Sequence, residues 1–142
     1  MPTLTRIVFA LLVLASFAAF AITQRLKHIP TTLQGTALFV PSFSPTSQGQ
    51  VKVERLHFHI NHSDDVTVTV VDSHGHTVTT LAYRRHLLAY RRMRLQWNGL
   101  TSRGTLAPAG IYRIEVELLH EKRKIPFPSS IQLIIPAPAK SR

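Results

Sequence analysis

Strict alternation of apolar and polar residues is the feature of this sequence that most limits its fold. At residues 56–60, Leu56, Phe58 and Ile60 alternate with two histidines, and at residues 66–70 three valines alternate with two threonines. A period of two is that of a β-strand with one buried and one exposed face. Residues 72–75 then form a tight turn, in which Gly75 accommodates positive φ. The valine run and residues 77–83 are therefore predicted to form a β-hairpin.

The same alternation recurs in the second half of the chain. Residues 91–97 and residues 111–119 are predicted strands, joined by a loop that holds two glycines and a proline. A last strand is predicted at residues 131–135, before a Pro-Ala-Pro tail that cannot continue a sheet. In the strands predicted at residues 91–97 and 111–119, the inward positions are Met93, Leu95, Trp97, Tyr112, Ile114, Val116 and Leu118. The fold class is all-β, an antiparallel β-sandwich, with Trp97 as a core anchor.

One N-terminal hydrophobic helix precedes the strands. Residues 7–22 are apolar apart from Ser16, and no charge occurs between Arg6 and Arg25. As a helix, sixteen residues span roughly 24 Å, less than the ~30 Å hydrocarbon core of a bilayer. The segment Ala19-Phe20-Ala21 also fits the small-x-small pattern of a cleaved signal peptide. Residues 1–24 are thus predicted to be a signal peptide or a transmembrane anchor, with the domain exported.

The length of 142 residues fits one folded domain behind this segment. Residues 25–38 contain Pro30 and Gly35 and are predicted to be a linker. Residues 39–136 are predicted to be the sandwich, and residues 137–142 a tail. The composition, 44% hydrophobic with 17% charged residues, is that of a folding chain and not of a disordered one.

Charge and cysteine content restrict the function classes. The formal net charge of +10 favours anionic partners. The absence of cysteine excludes a disulfide framework, a cysteine-based zinc site and a thiol nucleophile.

A hairpin pattern at residues 66–81, followed at residues 97–116 by Trp-Asn-Gly and then Pro-Ala-Gly-Ile-Tyr, resembles the FlgD-type immunoglobulin-like domain. The resemblance covers roughly residues 39–135 and depends on a Trp-Asn-Gly loop followed by Pro-Ala-Gly-Ile-Tyr. The structural signature residues are Gly75, Trp97, Gly99, Pro108, Gly110 and Tyr112. The resemblance implies an immunoglobulin-like sandwich in an exported bacterial protein. Hook capping is not implied, because this chain lacks the N-terminal assembly region of the flagellar protein.

No cofactor is expected. Relatives of that family often place acidic residues after a Phe-Ser-Pro segment, where carboxylates can bind Ca²⁺. Here Phe43-Ser44-Pro45 is followed at residues 46–50 by a segment without any acidic residue.

Eight histidines raise the question of a metal site, since His57 and His59 lie two apart on one strand face. Neither cysteine nor a carboxylate at fixed spacing accompanies them. The histidines are therefore predicted to face solvent and to bind no metal ion. Ser73, His74 and Asp72 are residue types of a nucleophilic triad, but a tight turn leaves no cleft for a substrate. The chain is therefore predicted not to be an enzyme.

The densest charge in the chain is predicted to be a contact surface. Five arginines fall within eleven residues around an apolar segment, and guanidinium groups bind phosphates and carboxylates well. The residues concerned are Arg84, Arg85, Tyr90, Arg91, Arg92 and Arg94. The alternative is a solvated basic loop. Nucleic acid is not an expected partner of an exported protein.

Two functions remain open on the sequence alone. The first is a non-catalytic structural or interaction module of the bacterial cell envelope, which binds a protein or an anionic envelope component. The second is an accessory single-pass subunit that caps a membrane protein complex, with small residues of the N-terminal helix packed against other helices. Residues 7–22 would hold either one in the membrane, provided that they are not cleaved.

Overall fold

A computed structural model of the chain describes residues 2–26, 29–46 and 51–136. The chain divides into two compact units, Met1–Pro30 and Thr31–Arg142. The predicted tail at residues 137–142 and most of the segment considered for calcium, residues 47–50, lie outside the described residues.

The first unit is dominated by the predicted N-terminal helix. Helix α1 (Pro2–Leu26) has 25 residues, so its axis is roughly 37 Å long and exceeds the ~30 Å of a hydrocarbon core. Its described side chains are exposed. The hydroxyls of Ser16 and Thr23 donate to the carbonyls of Leu12 and Ala19 at 2.9 and 2.7 Å, so α1 satisfies these polar groups itself. The segment Pro2–Thr23 is long and apolar enough to cross a membrane, a test that a signal sequence also passes.

The second unit consists of β-strands in two sheets. The described strands are β1 (Leu33–Leu38), β2 (Ser42–Phe43), β3 (Glu54–Ile60), β4 (Asp64–Val71), β5 (Thr77–Leu87), β6 (Met93–Trp97), β7 (Gly110–Leu118) and β8 (Arg123–Leu133). The three-stranded sheet has the order β1-β3-β6, and the five-stranded sheet has the order β2-β8-β7-β4-β5. Neighbouring strands are antiparallel except β2, which runs parallel to β8. The prediction of a mostly β chain with one N-terminal helix is confirmed.

The inward faces of the two sheets share one hydrophobic core. The ring of Phe58 on β3 meets that of Phe127 on β8 edge to face, with centroids 5.6 Å apart. Trp97 on β6 lies 5.0 Å from Tyr112 on β7 in the same manner. The predicted inward positions that are buried are Leu56, Phe58, Ile60, Val66, Val68, Val70, Met93, Trp97, Tyr112, Ile114, Val116 and Leu118. Leu95 is half-buried against this core.

Three element boundaries differ from the predictions. The predicted linker at residues 25–38 is too long, because β1 begins at Leu33 and pairs with β3. The predicted strand at residues 77–83 continues to Leu87, since β5 pairs with β4 over its whole length. The last strand begins at Arg123 and not at residue 131, because β8 pairs with β7 from that point.

Two buried aromatic side chains form hydrogen bonds to the loop at residues 98–109. The indole Nε1–H of Trp97 donates to the Leu100 carbonyl at 3.0 Å, and the hydroxyl of Tyr112 donates to the Pro108 carbonyl. Gly99 has φ +79°, as its place in a reversal requires. Gly110 is different: its φ is not in the left-handed region and its surroundings are open, so nothing there requires glycine.

Candidate functional site

The predicted basic loop is distributed over three structural elements. The predicted contact residues are Arg84, Arg85, Tyr90, Arg91, Arg92 and Arg94, all of them exposed. The first two lie on β5, an edge strand of the five-stranded sheet. The next three lie in the turn at residues 88–92, and Arg94 lies on β6 of the other sheet. Only the central part of the predicted surface is therefore a loop, and the cluster follows the chain as it passes from one sheet to the other.

A β-bulge sets the direction of β5 at Arg84. Arg84 has φ +45°, and its N–H donates to the Thr67 hydroxyl at 3.1 Å. The register of β4 against β5 shifts between Val66 and Val68, and Arg85 then pairs with Val66. A bulge and charged side chains on an edge strand hinder the addition of a further strand. Arg84 and Arg85 thus have a structural use in addition to any role in binding.

The turn at residues 88–92 is held in place by three hydrogen bonds from backbone N–H groups, two to carbonyls and one to a side-chain hydroxyl. The N–H of Tyr90 donates to the Ile60 carbonyl at 2.7 Å, and the N–H of Arg91 donates to the Leu88 carbonyl at 3.1 Å. The N–H of Ala89 donates to the Ser63 hydroxyl at 2.9 Å. Tyr90 has φ +60°, a backbone conformation that bulky residues rarely adopt. The turn is therefore fixed, although the side chains of Leu88 and Tyr90 are 51% and 69% exposed.

This turn lies at the end of the two-sheet unit where its first residue, Thr31, is located. The N–H of Thr31 donates to Glu121 Oε1 at 2.9 Å, and the N–H of the following residue donates to Asn61 Oδ1 at 2.7 Å. Ser63, two residues after Asn61, accepts the hydrogen bond from Ala89. These contacts join Thr31 to the turns at residues 61–63, 88–92 and 119–122. We call this part of the unit the Thr31 end.

Three acidic side chains of the Thr31 end, those of Asp64, Asp65 and Glu121, are engaged within it. Asp64 is buried, and its Oδ1 accepts from the backbone N–H of His120 at 3.0 Å and lies 2.8 Å from the imidazole Nδ1. Burial alone raises the pKa of Asp64, but the contacts with His120 outweigh it and hold the pKa below its usual range. Asp65 Oδ1 lies 2.8 Å from His86 Nδ1. Glu121 lies 3.5 Å from the Arg123 guanidinium.

Several basic side chains of the same end have no such partner. Within residues 2–26, 29–46 and 51–136, no acidic side chain forms an ion pair with Arg85, Arg91, Arg92, Lys122 or Lys124. Lys122 stands in the β7–β8 turn at φ +51°. The Thr31 end therefore presents unpaired positive charge, with the arginines on both sides of the exposed Leu88 and Tyr90 and the lysines on the side of β7 and β8. Charge density along the sequence indicated the arginines but not the lysines, which lie about thirty residues further along the chain.

Arg94 belongs to a different surface, the outer face of the three-stranded sheet. It pairs in register with His57, and Arg55 pairs with Gln96. The guanidinium of Arg55 lies 5.9 Å from the centre of the exposed Phe39 ring. These side chains border an open groove of about 630 Å³. Alternation along β3 indicated the outward positions, but the pairing with β6 was not readable from the sequence.

The histidines that the structure describes do not converge on one point. His57 and His59 are half-buried on β3, and the ring of His59 lies 6.3 Å from that of Tyr90. His74 and His76 stack on each other, with centroids 6.0 Å apart, in the β4–β5 turn. Among the described residues, no three side chains of His, Asp or Glu are placed to hold one metal ion.

The triad-like residues form the cap of a hairpin turn. Asp72 Oδ1 accepts from the backbone N–H groups of His74 and His76, both at 2.9 Å. The hydrogen bond from the N–H of His76 is the largest cause of the lowered pKa of Asp72. Ser73 Oγ is 3.4 Å from His74 Nδ1, a long contact between sequence neighbours. Asp72 is thus committed to the turn, and Gly75 completes it at φ +83°, as predicted.

The fold and these surfaces define a two-sheet β-domain that follows an apolar N-terminal helix. No family model matches the chain, and no curated protein matches it. A solved structure with a similar fold is that of dimeric latent PorU from Porphyromonas gingivalis. The likeness has a TM-score of 0.54 at 12% sequence identity, and it covers 76% of this chain but 10% of that one. This chain thus has the fold of a small part of a much longer bacterial protein.

Proposed function

We propose that this chain is a non-catalytic interaction module of the bacterial cell envelope, exported and tethered to the membrane by α1. The observation that carries the proposal is the pairing of a long apolar helix, exposed along its described length, with a separate compact β-domain. An exposed apolar surface of this size is unfavourable in water and favourable in a bilayer. The structural likeness to part of a bacterial protein agrees with the proposed origin.

We further infer that the two-sheet unit is an immunoglobulin-like sandwich, as the resemblance to the FlgD-type domain implies. The five-stranded sheet holds β7 between β8 and β4, and β2 joins it parallel to β8. Such a division of consecutive strands between two sheets is typical of Greek-key sandwiches. Tyr112 at the start of β7 donates its hydroxyl proton to the Pro108 carbonyl, the arrangement known as a tyrosine corner.

A role without catalysis is supported by what the polar residues do. Asp72, the acid of the triad-like segment, caps a turn, and Asp64 fixes the β7–β8 turn through His120. Both carboxylates are therefore used for structure.

Cysteine labelling tests export. Because the chain contains no cysteine, an introduced cysteine is its only thiol. Ser73→Cys places one thiol in the exposed β4–β5 turn. In spheroplasts, a membrane-impermeant maleimide should label this variant while a cytosolic cysteine marker stays unlabelled. Labelling only after lysis would overturn export. The mass of the mature chain then decides between a retained helix and cleavage after Ala21.

A further inference from the structure

We propose that the turn at residues 88–92 docks the two-sheet unit onto an anionic phospholipid surface. Leu88 and Tyr90 enter the headgroup region, and the arginines on either side bind lipid phosphates. The inference rests on the proposed function, because the surface is that of the bilayer that holds α1. The ligand proposed for Leu88 and Tyr90, the apolar centre of the arginine cluster, is thus the headgroup layer of a phospholipid bilayer.

Chain connectivity selects this end of the unit. Five peptide units join Leu26, the last residue of α1, to Thr31, and an extended chain covers at most about 18 Å over that length. A helix that ends at the membrane surface therefore tethers the Thr31 end close to that surface, whatever angle the two units make. The turn at residues 88–92 lies at this end, bound through Ser63 to the turn that contacts Thr32.

The shape of the turn suits an interface between water and lipid. A leucine and a tyrosine are both exposed in this turn, while hydrogen bonds to Ile60 and Ser63 fix its backbone. Tyrosine is enriched at membrane surfaces, since its ring is apolar and its hydroxyl remains hydrated. The unusual φ of Tyr90 is maintained by its hydrogen bond to Ile60, and such conformations cluster at binding sites. Because the turn is already ordered, docking costs little conformational entropy.

The charge of the Thr31 end is complementary to anionic lipid. Arg85, Arg91, Arg92, Lys122 and Lys124 have no ion-pair partner among the described residues. Guanidinium groups pair with phosphate oxygens in a planar, two-bonded geometry, and basic clusters beside a membrane segment are attracted to anionic lipids. At the opposite end, the turn at residues 72–76 carries an acidic residue and no lysine or arginine of its own, and two exposed arginines, Arg103 and Arg113, border it without an apolar side chain like Leu88 or Tyr90 in the turn. The opposite end therefore serves as an internal control.

The experiment uses the full chain, floated with vesicles of phosphatidylcholine, with or without phosphatidylglycerol. Ala89→Cys carries a fluorophore in the proposed docking turn, and Ser73→Cys carries the same label at the opposite end. A lipid with a nitroxide headgroup quenches only a label that lies at the surface. We expect several-fold stronger quenching at residue 89 than at residue 73, only with phosphatidylglycerol, and its loss at high salt.

Matched variants separate the docking turn from general charge. Arg85→Ser, Arg91→Ser and Arg92→Ser together should reduce quenching at residue 89 to the value at residue 73. Three exposed cations elsewhere provide a control of equal charge, and the corresponding substitutions are Lys52→Ser, Arg103→Ser and Arg113→Ser. This control variant should leave quenching unchanged. Tyr90→Ser should weaken quenching, whereas Tyr83→Ser, which alters an equally exposed tyrosine on β5, should not.

Each contrary result has a distinct meaning. A chain that does not float with either vesicle overturns the anchor proposed above and the docking together. A chain that floats but shows equal quenching at residues 89 and 73 overturns the docking alone. Cross-links from residue 89 to another protein in cells, without quenching in vesicles, would overturn it in favour of a protein partner. Equal effects of the two triple variants would show that net charge, and not this turn, causes the attraction.

Discussion

The carboxyl group of Glu54, at the start of β3, binds the backbone that follows the end of β1. Its Oε1 accepts hydrogen bonds from the N–H groups of Phe39 at 2.8 Å and Val40 at 3.2 Å. Glu54 is fully buried and pairs in register with Trp97. Its Oε2 has no hydrogen-bond partner among the described residues. Burial raises the pKa of Glu54, because desolvation disfavours the charged form more than the backbone hydrogen bonds favour it.

This raised pKa predicts a stability that falls as pH rises. Between the unfolded pKa of about 4.3 and the higher folded pKa, the native state binds more protons than the unfolded state, so its advantage shrinks with pH. Glu54→Gln removes the titration but keeps an oxygen for Phe39 and Val40. Urea unfolding of the full chain in detergent from pH 4 to 7 should show a smaller loss for the variant than for the wild type. Parallel curves would contradict the prediction.

The lowered pKa of Asp64 predicts the opposite pH dependence of stability, at lower pH. Its folded pKa lies below the unfolded value of about 3.9, so its contribution is present above that pH and is lost as pH falls through the folded pKa. Asp64→Ala leaves the N–H of His120 without its acceptor and should lower the free energy of unfolding by about 1 to 3 kcal/mol at neutral pH.

The neighbouring carboxylate provides the control for Asp64. Asp65 pairs with His86 on the exposed side of β4, and such a pair contributes about 0 to 1 kcal/mol. Asp65→Ala should therefore change the unfolding midpoint much less than Asp64→Ala. Equal effects of the two substitutions would show that burial of the Asp64 carboxylate has no energetic consequence.

Trp97 is predicted to be the largest single contributor to the core. Its ring contacts Phe43 and Tyr112 edge to face, with centroids 5.4 and 5.0 Å away. Trp97→Ala should lower the free energy of unfolding by about 3 to 5 kcal/mol, through lost burial and the cavity left behind. Trp97→Phe keeps an aromatic ring but loses the donor to Leu100, so it should cost less. A melting temperature unchanged by Trp97→Ala would contradict the packing described here.

The sequence predicts a strand of this fold well where the strand has one buried and one exposed face. Wherever alternation was regular, as along β3 and β7, the inward residues were identified correctly, because one face of a strand must leave water. The end of β5 was missed, because residues 84–86 are all charged or polar and expose both faces at a sheet edge. The start of β8 was missed because Pro126 and Pro128 interrupt the strand pattern before residue 131. These prolines are tolerated where β8 has β7 on one side and β2 joins only at Gln132 and Leu133.

The candidate site was predictable in composition but not in arrangement. The arginine cluster is visible as charge density, yet the contacts of Thr31 with Glu121 connect residues ninety apart in sequence. No local pattern reports which loops meet at one end of a domain. Glu54 shows the same limit, since its position two residues before Leu56 indicates the inward face while its charge argues against burial.

The last prediction compares two glycines in the loop at residues 98–109 that share one backbone conformation. Gly99 and Gly104 have φ of +79° and +78°, so alanine at either position bears the cost of the left-handed region, about 1 to 2 kcal/mol. Their surroundings differ. A Cβ on Gly99 would lie 2.7 Å from Pro45 Cγ and 3.2 Å from Leu133 Cδ1, whereas a Cβ on Gly104 would have no atom within 4 Å.

Gly99→Ala should therefore lower the free energy of unfolding more than Gly104→Ala, by about 1 to 3 kcal/mol for the forced repacking against Pro45 and Leu133. Because the backbone term is common to both variants, their difference isolates the packing of the loop on the core. Denaturant midpoints of the two full-length variants measure it. Equal losses would mean that the Trp-Asn-Gly segment requires glycine for its backbone conformation alone, and that the close approach of Pro45 has no cost.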